Sequence, residues 1–222
     1  MATLVKICGL STASTLDAAL EAGADMVGFV FFPKSPRHID WTTARDLGRR
    51  ARGRAKIVAL SVDADDETLS RIVDSLSPDM FQLHGRESPT RVKEIGELWA
   101  RPTMKALGVA KRADFAAANP YVGVADFLLI DAKPREDAIL PGGNGLPFDW
   151  SLARDFAPRA PWLLSGGLGP DNVADAILRA GARGVDVSSG VERAPGVKDE
   201  ARIRAFVVAA REALASVEEL NA

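Results

Sequence analysis

Short apolar runs alternate with helix-like stretches along the whole sequence. The runs are bounded by turn-forming residues and rich in β-branched side chains, which is typical of buried strands. The predicted strands are Leu4–Cys8, Asp25–Phe31, Lys56–Ser61, Met80–Leu83, Thr103–Leu107, Ala125–Ile130, Trp162–Leu164 and Gly184–Val187. The predicted helices are Ser14–Ala22, Thr42–Arg50, Asp66–Ser75, Pro89–Leu98, Arg112–Ala118, Trp150–Phe156, Asp171–Ala180 and Asp199–Ser216. This order predicts an α/β fold, a single (β/α)8 TIM barrel over residues 1–222.

Two of the connections stand out because they are rich in proline or glycine. The segment Phe32–His38 follows the second predicted strand, and the segment Ala132–Asp149 follows the sixth. The second segment is the longest loop of the chain. Long loops on a compact scaffold are usually functional, so we expect both segments to contribute to a ligand site.

The alternation of side chains within strands predicts which of them enter the barrel. In the first strand Lys6 and Cys8 share one face, whereas Val5 and Ile7 share the other. The apolar pair suits the interface with the helices. We therefore expect Lys6 and Cys8 to lie inside the barrel, with Cys8 at the carboxyl end of its strand.

Other polar residues also fall at the carboxyl ends of predicted strands. Asp131 ends the sixth strand, His84 follows the fourth and Asp186 lies in the eighth. The carboxyl ends of barrel strands converge on one mouth, where barrel enzymes hold their catalytic groups. Cys8 and Asp131 should then face each other across that mouth.

Two Ser/Gly clusters follow the last two predicted strands. Ser165-Gly166-Gly167 comes after the seventh strand, and Ser188-Ser189-Gly190 comes after the eighth. Backbone with few side chains can direct several N–H groups at one point, which suits a phosphate. We predict a phosphate site at Gly166, Gly167, Ser189 and Gly190, and a small phosphorylated metabolite as the partner.

Composition excludes several other classes of partner. The chain has 222 residues, 47% hydrophobic and 26% charged, with a formal charge of −2. This charge gives no general attraction to nucleic acid or to an anionic membrane. No apolar run has the length of a membrane span, and the N-terminus lacks a signal-peptide pattern. With a single cysteine, these features predict a cytoplasmic protein. We expect a monomer or a homodimer, a choice that the sequence leaves open.

A thiol and a carboxylic acid on opposite sides of a bound sugar would form a base–acid pair. Free cysteine has a pKa near 8.5, so a thiolate needs positive charge nearby. Lys6 is a possible source of that charge, and Asp186 would oppose it. The sequence leaves the sign of the net shift open.

The ordered motifs at the strand ends resemble the phosphoribosylanthranilate isomerase family over nearly the whole chain. The motifs are Val5-Lys6-Ile7-Cys8-Gly9, Gly23-Ala24-Asp25, Val27-Gly28-Phe29-Val30-Phe31, Pro33-Lys34-Ser35-Pro36-Arg37, Gln82-Leu83-His84-Gly85, Leu129-Ile130-Asp131, Gly142-Gly143-Asn144-Gly145, Phe148-Asp149-Trp150, Leu164-Ser165-Gly166-Gly167-Leu168 and Val185-Asp186-Val187-Ser188-Ser189-Gly190-Val191-Glu192. Each one is weak alone, but the ordered set is specific.

The resemblance implies an Amadori rearrangement of N-(5-phosphoribosyl)anthranilate, without a metal or an organic cofactor. It implies that Cys8 is the base that removes the C2′ proton and that Asp131 is the acid that protonates the ring oxygen. It also implies that Arg37 pairs with the anthranilate carboxylate, a task suited to a planar bidentate donor. The remaining predicted ligand residues are His84 and Asp186 for the substrate and Gly142 and Gly143 for the phosphate.

Three other functions compete with this interpretation. A class I aldolase would form a Schiff base at Lys105 or Lys133. A silent sensor of a phosphorylated ligand would keep the Ser/Gly clusters without needing Cys8 and Asp131 together. An epimerase would require paired acidic residues with a metal, which the two histidines of the chain do little to support.

Overall fold

The computed structural model describes residues 3–134, 142 and 148–220, with side chains described up to residue 217. Within these ranges eight parallel strands form a closed barrel in chain order. The strands are β1 (Leu4–Cys8), β2 (Met26–Phe31), β3 (Lys56–Ser61), β4 (Met80–Leu83), β5 (Thr103–Val109), β6 (Phe127–Ala132), β7 (Trp162–Leu164) and β8 (Gly184–Val187). Pairing of β8 with β1 closes the barrel, so the predicted fold class is confirmed.

Helices cover the outside of the barrel. The α-helices are α1 (Ala13–Glu21), α2 (Trp41–Ala51), α3 (Asp66–Leu76), α4 (Pro89–Trp99), α5 (Val173–Ala180) and α6 (Glu200–Leu220). The first four begin after a side chain that accepts a hydrogen bond from the first helical turn: Thr12, Asp40, Asp65 and Ser88. Such caps fix where each helix begins.

Two predicted helices are 3-10 segments instead. After β5 the chain forms a 3-10 helix at Arg112–Tyr121, and after β6 it forms a shorter one at Trp150–Ala153. Pro120 lies inside the first segment, where its missing N–H removes a helical hydrogen bond. The second segment is a single turn, too short to propagate an α-helix.

The two faces of the barrel strands carry different cores. Val5 and Ile7 belong to the larger apolar cluster shared with the helices. A second cluster, which includes Met80, Met104 and Leu129, fills the barrel interior. The predicted alternation in β1 is therefore confirmed, and it places Lys6 and Cys8 inside the barrel.

A small antiparallel hairpin follows the barrel and was not predicted from the sequence. It consists of β9 (Glu192–Ala194) and β10 (Val197–Lys198), between β8 and α6. Among the described residues, no helix combines the length and the apolar character needed to cross a membrane. That the whole of residues 1–222 forms one domain stays a prediction.

Candidate active site

The carboxyl ends of the strands surround one cavity. Cys8, Arg37, His84, Asp131 and Asp186 all line it, so the structure brings together the five predicted catalytic and substrate-binding side chains. Of the residues predicted to bind phosphate, four line the same cavity: Gly142, Gly166, Gly167 and Ser189. Gly143 lies outside the described residues.

A buried ion pair lies directly beside Cys8. Lys6 Nζ donates to Asp186 Oδ1 at 2.6 Å, and neither side chain is more than 5% exposed. Ser165 Oγ donates to the other oxygen of Asp186 at 3.2 Å. Burial alone would lower the pKa of Lys6, but Asp186 and Cys8 raise it above its usual value. The ammonium therefore stays charged next to the thiol.

The environment of Cys8 also answers the question that the sequence left open. Burial raises the pKa of the Cys8 thiol above its ordinary value. Lys6 opposes this shift, Asp186 adds to it and Lys198 opposes it more weakly. Because burial dominates, the thiol form of Cys8 is favoured at neutral pH.

Space for the Cys8 side chain depends on a glycine in the neighbouring strand. A Cβ atom on Gly28 would lie 2.9 Å from Cys8 Sγ and 3.2 Å from Lys6 Nζ. Contacts this short would displace the thiol or the ammonium. Gly28 interrupts the apolar run of β2, and a glycine inside a strand is a known sign of close approach.

On the opposite side of the cavity, three polar side chains lie in a row. Gln82 Nε2 lies 3.1 Å from His84 Nδ1, and His84 Nε2 lies 3.4 Å from Asp131 Oδ2. Asp131 Oδ1 accepts a hydrogen bond from the Ala132 N–H at 2.8 Å. The Ala132 N–H thus orients the Asp131 carboxyl group, and the other carboxyl oxygen lies beside the His84 imidazole.

Gly142, a described residue of the long loop, lies against this carboxyl group and the His84 imidazole. A Cβ at this position would lie 2.5 Å from His84 Nε2 and 2.7 Å from Asp131 Oδ2. Residue 142 can therefore approach Asp131 this closely only because it has no side chain. The predicted phosphate contact of Gly142 stays a prediction.

The loops after β7 and β8 meet at one end of the cavity. Gly166 and Gly167 have φ angles of +87° and +68°, a region that favours glycine. A Cβ on Gly166 would lie 2.6 Å from the Ala132 backbone nitrogen. Gly190 packs against the Leu168 carbonyl and joins the two loops, although it does not itself line the cavity.

Arg37 lines the cavity but is paired with a residue that the sequence did not suggest. Its Nε and Nη2 atoms donate to the two oxygens of Glu192 at 2.7 and 2.9 Å. Glu192 also accepts from Lys198 Nζ at 2.8 Å. Burial alone would raise the pKa of Glu192, but hydrogen bonds from Arg37 and Lys198 lower it, so the carboxylate is ionised.

Sequence reasoning gave no site role to four residues that shape the site: Gly28, Gln82, Glu192 and Lys198. A signal existed for Gly28, a glycine within an apolar strand, and for Gln82, which shares a strand face with His84. The pairing of Arg37 with Glu192 spans 155 positions and left no local pattern.

The two lysines proposed for a Schiff base lie in different places. Lys105 is on the outer face of β5, where its Nζ donates to Glu87 at 2.9 Å and to the carbonyls of Leu83 and Gly85. Lys105 is thus ruled out as a nucleophile in this cavity. Lys133 lines the cavity but is largely exposed.

A closed parallel barrel with a buried thiol, a carboxyl group and a glycine-lined end at its carboxyl-terminal mouth defines the class of β/α-barrel enzymes. Residues 5–209 match the family model described as N-(5′-phosphoribosyl)anthranilate (PRA) isomerase. The chain belongs to this family. It is therefore an isomerase that interconverts an aldose and a ketose.

Individual proteins similar to this chain are members of the same family. The chain is 60% identical over 207 residues to the N-(5′-phosphoribosyl)anthranilate isomerase of Rhodopseudomonas palustris strain BisA53, covering 93% of this chain and 95% of that protein. The phosphoribosyl anthranilate isomerase of Thermotoga maritima has a similar structure, with a TM-score of 0.85, 35% identity and coverage of 95% and 99%. Another similar structure, with a TM-score of 0.82, 34% identity and coverage of 95% and 99%, is a phosphoribosyl anthranilate isomerase in complex with reduced 1-(o-carboxyphenylamino)-1-deoxyribulose 5-phosphate.

Proposed function

We propose that the chain catalyses the Amadori rearrangement of N-(5-phosphoribosyl)anthranilate to 1-(2-carboxyphenylamino)-1-deoxyribulose 5-phosphate, with Cys8 as general base and Asp131 as general acid. Membership of the family supports the reaction. The observation that carries the residue assignment is that Cys8 and Asp131 line the same cavity from different strands.

In the first step of this proposal, Asp131 gives its proton to the furanose ring oxygen. The bond between that oxygen and C1′ breaks, and the anilino nitrogen supplies the electron pair, which leaves an open-chain iminium ion. The hydrogen bond from the Ala132 N–H and the adjacent His84 imidazole support this role, because they orient the carboxyl group. Asp131 must be protonated when the substrate binds.

In the second step, the Cys8 thiolate removes the C2′ proton. The electrons of the C–H bond form the C1′–C2′ double bond and neutralise the iminium ion, which gives the enolamine. Tautomerisation then gives the ketone. The raised pKa of Cys8 reduces the thiolate fraction, but it also makes each thiolate a stronger base for a carbon acid.

The rest of the cavity would hold the two ends of the substrate. Arg37 lies where it could bind the anthranilate carboxylate while Glu192 holds its other edge. Gly166, Gly167 and Ser189 would bind the phosphate through main-chain N–H groups. With the carboxylate end and the phosphate end of the substrate bound in this way, the reacting carbons of the sugar would lie between the Cys8 thiol and the Asp131 carboxyl group.

The proposal requires no metal or organic cofactor, since ring opening and proton transfer need only an acid and a base in position. Within the described part of the chain, no group of three or more histidine, cysteine or acidic side chains could hold a metal ion. A cytoplasmic location and a monomeric or homodimeric state stay predictions.

The direct test is a fluorescence assay with freshly generated phosphoribosylanthranilate, which follows the loss of substrate emission. We expect Asp131→Asn to reduce kcat by roughly 10²–10⁴, because the amide cannot protonate the ring oxygen. The Kd for the reduced product analogue should stay near that of the wild type. Near-normal turnover of this variant would remove Asp131 from the mechanism, and inactive wild-type protein would refute the reaction itself.

A further inference from the structure

The hairpin β9–β10 carries a lysine that is almost completely buried beside the cavity. The Lys198 side chain is 1% exposed, and it is not one of the residues that line the cavity. A buried ammonium group loses its hydration, which is costly unless its donors are satisfied. Lys198 therefore acts on a ligand by its charge and through the residues that it contacts, not by direct contact.

The Lys198 ammonium group donates three hydrogen bonds. Lys198 Nζ donates to Glu192 Oε1 at 2.8 Å, to the Ser188 carbonyl at 2.8 Å and to Ser188 Oγ at 3.2 Å. Ser188 and its neighbour Ser189 both line the cavity. Lys198 thus connects the loop after β8 to the carboxylate that holds Arg37.

The charges of this cluster explain why a second cation is useful. Arg37 and Glu192 form a bidentate pair whose formal charges cancel, and their side chains are only 7% and 4% exposed. A neutral pair attracts an anion much less than an unpaired arginine does. Lys198 restores one positive charge to the cluster, and that charge is poorly screened because the cluster is buried.

We infer that Lys198 is a positioning residue for substrate recognition: its charge offsets Glu192, so that Arg37 remains effectively cationic toward an anionic ligand. The inference deepens the proposed function and rests on it. The ligand class is an anion with a carboxylate, as on the anthranilate ring. A neutral residue at position 198 would leave Arg37 bound to Glu192 in a pair without net charge.

Charge rescue separates this role from a merely structural one. Lys198→Met removes the second cation and should weaken binding of reduced 1-(o-carboxyphenylamino)-1-deoxyribulose 5-phosphate roughly ten-fold. The double variant Lys198→Met/Glu192→Gln again has one net positive charge, because glutamine is neutral and still offers Arg37 an oxygen. We expect it to recover most of the lost affinity, although the contacts of Lys198 remain absent.

Calorimetry gives the Kd of the analogue for each variant, and the fluorescence assay gives kcat and KM. The kcat of Lys198→Met should change much less than its KM. The matched control is Lys93→Met on α4, which removes one charge from a lysine that is 66% exposed and should bind as the wild type does. Thermal unfolding checks that each variant is folded, and Lys198→Gln replaces Lys198→Met if the latter does not fold.

The pH dependence of analogue binding gives a second test of the role of Lys198. Burial lowers the pKa of Lys198, Glu192 opposes this shift and Arg37 adds to it. The charged or titratable groups that face it are Glu192, Arg37 and Cys8. Deprotonation removes the positive charge, so wild-type affinity for the analogue should fall as pH rises toward that lowered pKa. The fall should be smaller in Lys198→Met, which lacks this titrating ammonium group.

The outcomes distinguish the two proposals. Unchanged affinity in Lys198→Met would overturn the inference, and so would weakened affinity that Glu192→Gln does not restore, because that result would mark Lys198 as structural. Failure of the wild-type protein to turn over phosphoribosylanthranilate would instead refute the proposed function.

Discussion

Two buried lysine–carboxylate pairs lie on opposite faces of the barrel sheet. Inside the barrel, Lys6 and Asp186 are 2.6 Å apart, and outside it, Lys105 and Glu87 are 2.9 Å apart. All four side chains are at most 5% exposed. By burial and distance the two pairs are nearly equivalent.

Their neighbours differ completely. Lys6 adjoins the Cys8 thiol and lowers its pKa against the effect of burial. Lys105 donates to the carbonyls of Leu83 and Gly85, on either side of His84. The inner pair therefore sets the electrostatic environment of a reacting group, whereas the outer pair holds a loop. Burial alone therefore does not identify a functional ion pair. The face of the sheet on which the pair lies decides whether it can act on the groups in the cavity.

The largest effect is expected at the group beside the inner pair. Cys8→Ala removes the proposed base and should reduce kcat by roughly 10²–10⁴. The Kd for the reduced product analogue should change little, because the ligand contacts at both ends of the cavity remain. The fluorescence assay measures kcat, and calorimetry measures Kd. Retained turnover would show that another group removes the C2′ proton.

Methionine substitution of the two lysines tests the comparison directly. Each change leaves a buried carboxylate without its partner, which costs about 3–5 kcal/mol of stability. We expect Lys6→Met to lower kcat about ten-fold or more in addition, since Asp186 would then disfavour the Cys8 thiolate. Lys105→Met should retain most of its kcat per folded molecule.

Urea unfolding measures the stability of both variants, and the fluorescence assay measures kcat at a temperature where both are folded. Equal losses of kcat in the two variants would contradict the distinction between the inner and the outer pair.

The smallest effect is a shift in the titration of the thiol. Cys8 is the single cysteine of the chain, so the ultraviolet absorbance of the thiolate reports it alone, with Cys8→Ala as the blank. Burial should place the wild-type midpoint above the ordinary pKa of a cysteine thiol. Lys6→Met should raise the midpoint further, because Lys6 favours the charged form, whereas Lys105→Met should leave it unchanged. A wild-type midpoint below the ordinary value would contradict the assigned cause.

The sequence was sufficient for most of the barrel because alternation and turn signals are local properties. Five predicted strands, among them Leu4–Cys8 and Gly184–Val187, have the observed bounds. The inward direction of Lys6 and Cys8 followed from the apolar character of Val5 and Ile7. Helix type was less predictable, because the pattern of residues from Arg112 onward indicates a helix without separating a 3-10 helix, which the structure shows, from an α-helix.

The candidate site was predictable only in part. Residues at strand ends could be assigned to the mouth, but their partners depend on contacts between distant parts of the chain. Arg37 meets Glu192 through a hairpin whose strands have only three and two residues, too short to give a strand pattern. The dominance of burial over the charge of Lys6 at Cys8 also required the packed structure.

The absence of a side chain at Gly28 has a consequence for evolution as well as for chemistry. Every larger residue at this inward position would compete with the sulfur and the ammonium for the same volume. Mutational drift at residue 28 is therefore constrained by its neighbours on β1, not by the backbone of β2. A saturation library at this codon should yield functional clones that are almost all glycine, even though many of the other substitutions would still allow the barrel to assemble.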